Sequence, residues 1–540
     1  MSADVTSRAR SRRVTVRWAA DVLRILPAWG YGRIGVTVVA LAFALALMPL
    51  LPVAASDLGL VAVVSTDEAL AGRIVRHMVE ARTANPDHFF AYGALSFDLS
   101  ALLLIPVAVV GRLNDAAVLV ALRAVSLASG TATVVLTAVL ARRLAGAPAA
   151  LVAALLVAAT PEVVTWSVTA HPDTLQLAWL TGALLVAATL PQRYRRTRLL
   201  LGGLFAGLAF ATKYLGVLLL PLMLLAAAEG QRRAGRVRLG AVVQDAVVLA
   251  AVFALTFAVT NPYALAEPGR FVGQLRAEIV HAHRGHVFDL GGGPLTWLGA
   301  VLSAGLGGPL MPVLALVGAA ICLMVRGPVR DTAAVLLGWT GAYLAYLVAQ
   351  VGYEAPRYAL PLLPGEAALA AAGLVQIGRR AAAAGRPARL AVGVLFVGAL
   401  LPPLLATAGR VQGRLALAVD LERDARVQAG RWLDAVAPDG AAILTDAYVY
   451  LPSRRAGVTV TFGLTRELAD RVHPLYIVTN EDIRGRFRWA EGAARYIDGP
   501  DAYAARWEAY AALEEGRLGC YRLMRDFGPV KIYHAACEGS

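Results

Sequence analysis

Eleven apolar runs, most of them about as long as a bilayer is thick, constrain this chain more than any other feature. They lie at 34–55, 118–141, 147–162, 173–190, 199–213, 214–228, 239–260, 303–325, 332–350, 358–378 and 390–409, with 147–162, 199–213 and 214–228 short. A backbone in hydrocarbon has no water to bond with, so runs of this length must close their own hydrogen bonds as helices. Composition agrees: 58% of the 540 residues are hydrophobic and only 16% charged, which excludes a soluble enzyme, a disordered chain and a fibrous one. The expected fold is a polytopic α-helical membrane protein.

The net charge of +14 would suit a nucleic-acid partner if it formed a patch. Instead the arginines stand in short blocks between apolar runs, which is how membrane proteins set their orientation, so no nucleic-acid partner is expected. Seven fall within residues 1–33, an Arg-rich segment expected in the cytoplasm; later blocks include Arg142-Arg143, Arg232-Arg233 and Arg379-Arg380. The run 34–55 is too long for a signal-peptide core and reads as the first span. Segment 95–110 decides the count. As a span it would send every later block to the wrong side. As an interfacial helix, interrupted by Asp98 and Pro106, it leaves 23 arginines inside and 8 outside. The expectation is about eleven spans over 34–409, N-terminus inside and C-terminus outside, with 56–117 as the first outer loop.

Residues 410–540 have no run long enough to span. Helical spacing over 415–436, β-like runs AAILT, VTVTF and LYIVT, a helix over 501–515 and strands near 518–524 and 529–534 read as a small extracytoplasmic α/β domain. Of three cysteines, Cys520 and Cys537 pair if that domain is in an oxidising compartment; unpaired thiols are the other reading.

Ionisable groups at the membrane boundary are costly unless they serve a purpose, so the outer-side residues are the site candidates. Asp67 and Glu68 follow directly on an apolar tail. Adjacent carboxylates repel, so one should have a raised pKa and suit general-base work; helix capping by Thr66 or Asp67 is the plainer reading. The stretch Asn85–Tyr92, with His88 and Tyr92, either lines a sugar or lipid site or anchors the loop. His171, Pro172 and Asp173 begin another span, where capping again competes with catalysis. Lys213 is one of only two lysines against 49 arginines, and its ammonium suits a phosphate; snorkelling is the alternative. His281, His283 and His286 lack convincing metal spacing and fit a polar loop that touches substrate. Arg357 sets a cation at a helix start, against the dipole. It therefore calls for an anion, either a lipid phosphate or Glu354.

In this order, Thr66-Asp67-Glu68, Arg123, Ala141–Gly146, Pro161, His171-Pro172-Asp173, Gly207–Ala209, Thr212-Lys213-Tyr214, Asn261-Pro262-Tyr263 and Pro356-Arg357-Tyr358 resemble the GT-C superfamily of membrane glycosyltransferases. The branch they resemble contains the protein O-mannosyltransferases and lipid A aminoarabinose transferases. The resemblance runs over most of 34–410. It implies a polyprenyl-phosphate-linked sugar donor, transfer with inversion outside the cytoplasmic membrane, and an acceptor that is a lipid, a glycan or a protein. It implies Asp67 as the catalytic carboxylate, Glu68 supporting it, Asp173 as a second acid, and Lys213, Arg357 and Tyr358 on the donor phosphate. Arg123, His88, Tyr92, His171, His283 and His286 are pocket candidates. No cofactor is firmly implied, a divalent cation being possible. Membrane lipids, the lipid-linked donor and an unidentified acceptor are the expected partners. A transporter or lipid flippase is the rival, but it would show ionisable residues mid-membrane and inverted repeats, and neither stands out.

Overall fold

The computed structural model describes residues 32–192, 196–235, 238–284, 294–352, 355–488 and 499–536. Most of the Arg-rich segment 1–33, together with Glu354, His286 and Cys537, lies outside them. All eleven apolar runs are helical in whole or large part. Among the described residues seven helical segments are long and apolar enough to cross a membrane: Gly32–Leu50, Asp115–Ala145, Tyr214–Arg233, Leu239–Thr260, Pro328–Gln350, Pro356–Ala384 and Arg386–Arg423. An eighth is the pair Ala147–Ala158 and Pro161–Ser167, bent by 65°. The bend has a local cause, because Pro161 has no N–H to give and forces Thr160 before it out of the helical region. Shorter apolar helices are Leu95–Val109, Asp173–Ala187 and Leu310–Met324. The chain is a multi-pass membrane protein.

Two helices line up charges that seat the first long loop. Helix Thr66–Glu80 runs beside helix Asp115–Ala145, and Glu68 pairs with Arg123 while Arg76 pairs with Asp115. The partners are eight residues apart on both helices and in opposite order. That pattern fixes an antiparallel register.

The last long helix does not stop at 409. It continues to Arg423, where Asp424 breaks it and caps the next helix, Ala425–Val436. Beyond lies a five-stranded sheet of order β2-β1-β3-β5-β4, with β1 Ile443–Asp446, β2 Val458–Thr461, β3 Tyr476–Asn480, β4 Tyr521–Asp526 and β5 Val530–Ala535. The first three strands are parallel, and β5 runs antiparallel between β3 and β4. β1 and β3 are buried along their whole length, as central strands covered on both faces are. Cys520 is disulfide-bonded.

The loop after β1 docks onto the first long loop. Ser453 donates its hydroxyl to Asp115 at 2.6 Å and its N–H to Asp57 at 3.2 Å. Gly59 lies so close to the Leu451 carbonyl that a Cβ there would overlap it.

Candidate active site

Helix Thr66–Glu80 starts at Ser65, whose extended backbone leaves the helix and whose hydroxyl accepts the Glu68 N–H at 3.2 Å. Neither Thr66 nor Asp67 is the cap. Asp67 and Glu68 then point to opposite kinds of surroundings, because successive helical side chains diverge by about 100°. Asp67 is 42% exposed. Glu68 is fully buried, held by two bonds from Arg123 at 2.9 and 3.0 Å and a third from the Ala170 N–H, with Arg414 at 3.8 Å. Arg123 spends its remaining nitrogen on the Leu51 and Val53 carbonyls. In this geometry Glu68 and Arg123 tie the loop to helix Asp115–Ala145. The upward shift expected from repulsion is also reversed at Glu68. Burial pushes its carboxyl up, but Arg123 and Arg414 outweigh it and hold it below the ordinary value.

The turn before helix Asp173–Ala187 collects the charges. Asp173 caps nothing; Pro172 precedes the helix, and the carboxylate turns sideways. Its Oδ1 is 2.6 Å from Lys213 Nζ, and its Oδ2 is 2.7 Å from His171 Nδ1 and 3.9 Å from Arg357 Nε. His171 is buried, and neither ring nitrogen has an aligned hydrogen bond. Its far nitrogen, Nε2, faces Asp67 Oδ2 at 3.7 Å. The ring is wedged by Tyr92 at 5.3 Å and Trp166 at 5.0 Å between centroids. Trp166 is oriented by its N–H to Glu162 and carries the Arg357 guanidinium 5.0 Å from its ring. Tyr358 lies 4.8 Å from Lys213 Nζ. Burial, with Asp67 nearby, lifts the Tyr92 hydroxyl well above its ordinary value, so it stays a neutral donor.

Backbone breaks aim Lys213. Helix Arg196–Thr212 ends there in an extended residue (φ −159°, ψ 128°), and Gln176 bonds its carbonyl at 2.7 Å. Gly93 backs this turn: a Cβ would overlap the Ala211 carbonyl, and its N–H donates to Thr212 at 3.2 Å. Asn261 accepts the Ala94 N–H at 2.6 Å. Lys213 is thus only 13% exposed and ion-paired, the opposite of snorkelling. The Asn85–Tyr92 stretch divides between packing and the charged turn. Phe90 and Tyr214 join an anchoring aromatic cluster, while Tyr92 reaches the charged centre.

Helix Pro268–Arg284 covers the far side. Gln274 clamps the first loop, accepting the Phe90 N–H at 2.6 Å and donating to the His88 carbonyl at 2.8 Å. His88 itself is half-exposed and pairs with Glu267 at 2.6 Å, away from the Lys213–Asp173 centre. Glu278, one turn after Gln274, interacts electrostatically with Lys213, Asp67 and Arg357. Burial raises its carboxyl above the ordinary value; Lys213 and Arg357 oppose this and Asp67 adds to it. Burial and Arg357 lower His281, against Asp67. His283 is exposed and off this face. Sequence reasoning passed over Glu278; its spacing of four from Gln274 and three from His281 on an amphipathic helix was the available signal. Among the described residues no group of three or more His, Cys, Asp or Glu side chains converges as a metal site.

Residues 107–261 match the family described as dolichyl-phosphate-mannose-protein mannosyltransferase. No curated protein matches the chain in sequence. Among solved structures the chain is similar to ArnT from Cupriavidus metallidurans in the apo state (TM-score 0.54, 16% identity, covering 93% of this chain and 98% of that one). ArnT bound to undecaprenyl phosphate gives 0.53 at 15% identity over the same shares. AglB, the archaeal oligosaccharyltransferase from Archaeoglobus fulgidus in complex with an inhibitory peptide and a dolichol-phosphate, gives 0.56 at 14% identity, covering 86% of this chain and 71% of that one. The shared fold and the family match together indicate a glycosyltransferase of GT-C type.

Proposed function

We propose that this GT-C-type glycosyltransferase moves a sugar, with inversion, from a polyprenyl-phosphate donor to an acceptor on the outer face of a bacterial-type cytoplasmic membrane. One observation carries the reading: two cations, Lys213 and Arg357, meet at Asp173 on one side of His171, and a half-exposed carboxylate, Asp67, stands on the other. A sugar leaving its phosphate throws negative charge onto that phosphate, and cations fixed where the charge grows lower the barrier. The acceptor hydroxyl or amine must lose a proton on the opposite face, a task for a carboxylate within reach. Asp67 takes that proton. Asp173, which the resemblance made a second acid, is here a positioning residue that balances Lys213 and Arg357 until a phosphate competes for them, and it orients His171 toward Asp67.

The donor class is supported by the lipid phosphates bound to ArnT and AglB. In this reading all eleven apolar runs enter the membrane, the N-terminus is cytoplasmic, 34–409 forms the catalytic domain and the sheet domain lies outside. Membranes supplied with a panel of polyprenyl-phosphate sugars labelled in the sugar test it. Asp67→Asn should abolish transfer while leaving binding of undecaprenyl phosphate intact; full activity in that variant removes Asp67 from its role.

A further inference from the structure

Among the described residues Glu278 is the acidic group facing this site that has no role in the transfer proposed above. The helix that carries it is pinned at two points. Gln274 bonds the Phe90 N–H and the His88 carbonyl, and the Ala282 carbonyl accepts the Gly352 N–H at 2.7 Å, five residues before Arg357. Phe271, on the same face, packs against Tyr214, the residue after Lys213, with centroids 5.7 Å apart. The inner face of this helix therefore runs from the Lys213 turn toward the Arg357 segment, with Glu278 between the two anchors. Helical spacing of four before and four after keeps Gln274, Glu278 and Ala282 on one side. Among the described residues no hydrogen bond or ion pair occupies the Glu278 carboxylate.

A partly buried carboxyl group without a partner is costly, and a bound group that offers donors relieves that cost. Three parts of the donor compete for that place. The phosphate is repelled by a second carboxylate. The prenyl chain has no hydrogen-bond donors. The sugar presents hydroxyl groups, each an O–H that a carboxylate accepts. On the foregoing reading of the function, we propose that Glu278 binds hydroxyl groups of the sugar being transferred, across from the Lys213–Arg357 pair. It thereby selects the donor sugar and sets its orientation, while Asp67 is left to the acceptor.

The test compares wild type, Glu278→Gln and Glu278→Ala in the full-length protein, with two probes: a panel of sugar-labelled polyprenyl-phosphate hexoses and pentoses, and sugar-free undecaprenyl phosphate. For the sugar that wild type uses best, Glu278→Ala should raise the donor KM about tenfold or more, and Glu278→Gln less, since an amide keeps one acceptor. Affinity for undecaprenyl phosphate should hold or tighten in both, because a like charge is removed. Discrimination between sugars that differ in one hydroxyl should narrow. Unchanged donor KM and sugar preference overturn the inference, as does a parallel fall in undecaprenyl phosphate affinity, which would place Glu278 behind the cations instead. Since Glu278→Gln preserves size, loss of folding in Glu278→Ala alone leaves the Gln variant to decide. If wild type turns over no member of the panel, the donor reading itself fails and takes this inference with it; activity in wild type with no effect in the variants removes only Glu278.

Discussion

Replacing Asp173 by Asn separates a residue that holds cations from one that does chemistry. The substitution keeps the shape and deletes the charge on which Lys213, His171 and Arg357 converge. At an effective dielectric of about 20, unit charges 2.6 Å apart, the Lys213–Asp173 distance, attract by about 6 kcal/mol. Desolvation cancels much of this, and breaking such a pair from one side typically costs about 3–5 kcal/mol. The two cations are 13% and 18% exposed, so little of that cost can be relieved by water. Lys213 should therefore stay within reach of the site but lose its fixed orientation, and imprecise placement of one donor of this type lowers turnover by roughly 10²–10³. Phosphate binding should change in the opposite direction. A phosphate seated on Lys213 would lie about 4–5 Å from Asp173, where the carboxylate repels it by about 3–4 kcal/mol at the same dielectric. Allowing for His171 and solvent, about 1–2 kcal/mol remains, a tightening of roughly tenfold in Kd. The assay pairs single-turnover transfer from a labelled polyprenyl-phosphate sugar with equilibrium binding of undecaprenyl phosphate. Opposed changes support the cation-holding role. If kcat and phosphate affinity fall together, Asp173 acts only as a prop for the fold and the reasoning is refuted.

Two further outcomes follow from the geometry. Gly93→Ala should destabilise the protein by about 1–3 kcal/mol, since its Cβ overlaps the Ala211 carbonyl, and should cut transfer by displacing the Lys213 turn; thermal unfolding and donor turnover equal to wild type would show that the close approach is dispensable. Burial lifts Asp446, at the end of β1, to about 7 despite the Tyr510 and Asn480 bonds that favour its charged form. The unfolded chain gives up this proton near the ordinary Asp value of about 4, before the folded one does. Stability of the sheet domain should thus decline as pH rises from about 4 and level off above about 7. Thermal unfolding followed by tryptophan fluorescence across that range checks it, and a slope absent in wild type contradicts the buried acid.

Both the helices and the strands were legible in the sequence because each depends on local repetition. Apolar runs near 20 residues must be helices in hydrocarbon, and short alternating or β-branched runs between glycines and prolines make strands. Breaks were less legible. The run 147–162 reads as one segment, yet Pro161 splits it by 65°, and the last helix outruns its apolar stretch to Arg423 because nothing polar in 410–423 forbids a helix. For the site, residue type carried part of the way: a lone lysine among arginines and an arginine at a helix start both marked positions near the charged centre. Their partners were not readable, since Glu68 and Arg123 stand 55 positions apart and Lys213 and Asp173 stand 40 apart.

Composition and spacing by themselves determined that this chain is a helical membrane protein with a small α/β appendage, because solvation of the backbone and of apolar side chains acts residue by residue. Only the tertiary structure decided that Asp67 is open while its neighbour Glu68 is locked to Arg123, that Asp173 faces Lys213 instead of capping its own helix, and that Glu278 joins them from another loop. Electrostatic roles depend on which charges lie within a few ångströms and on how much water lies between them, and neither distance nor burial is a property of a residue alone.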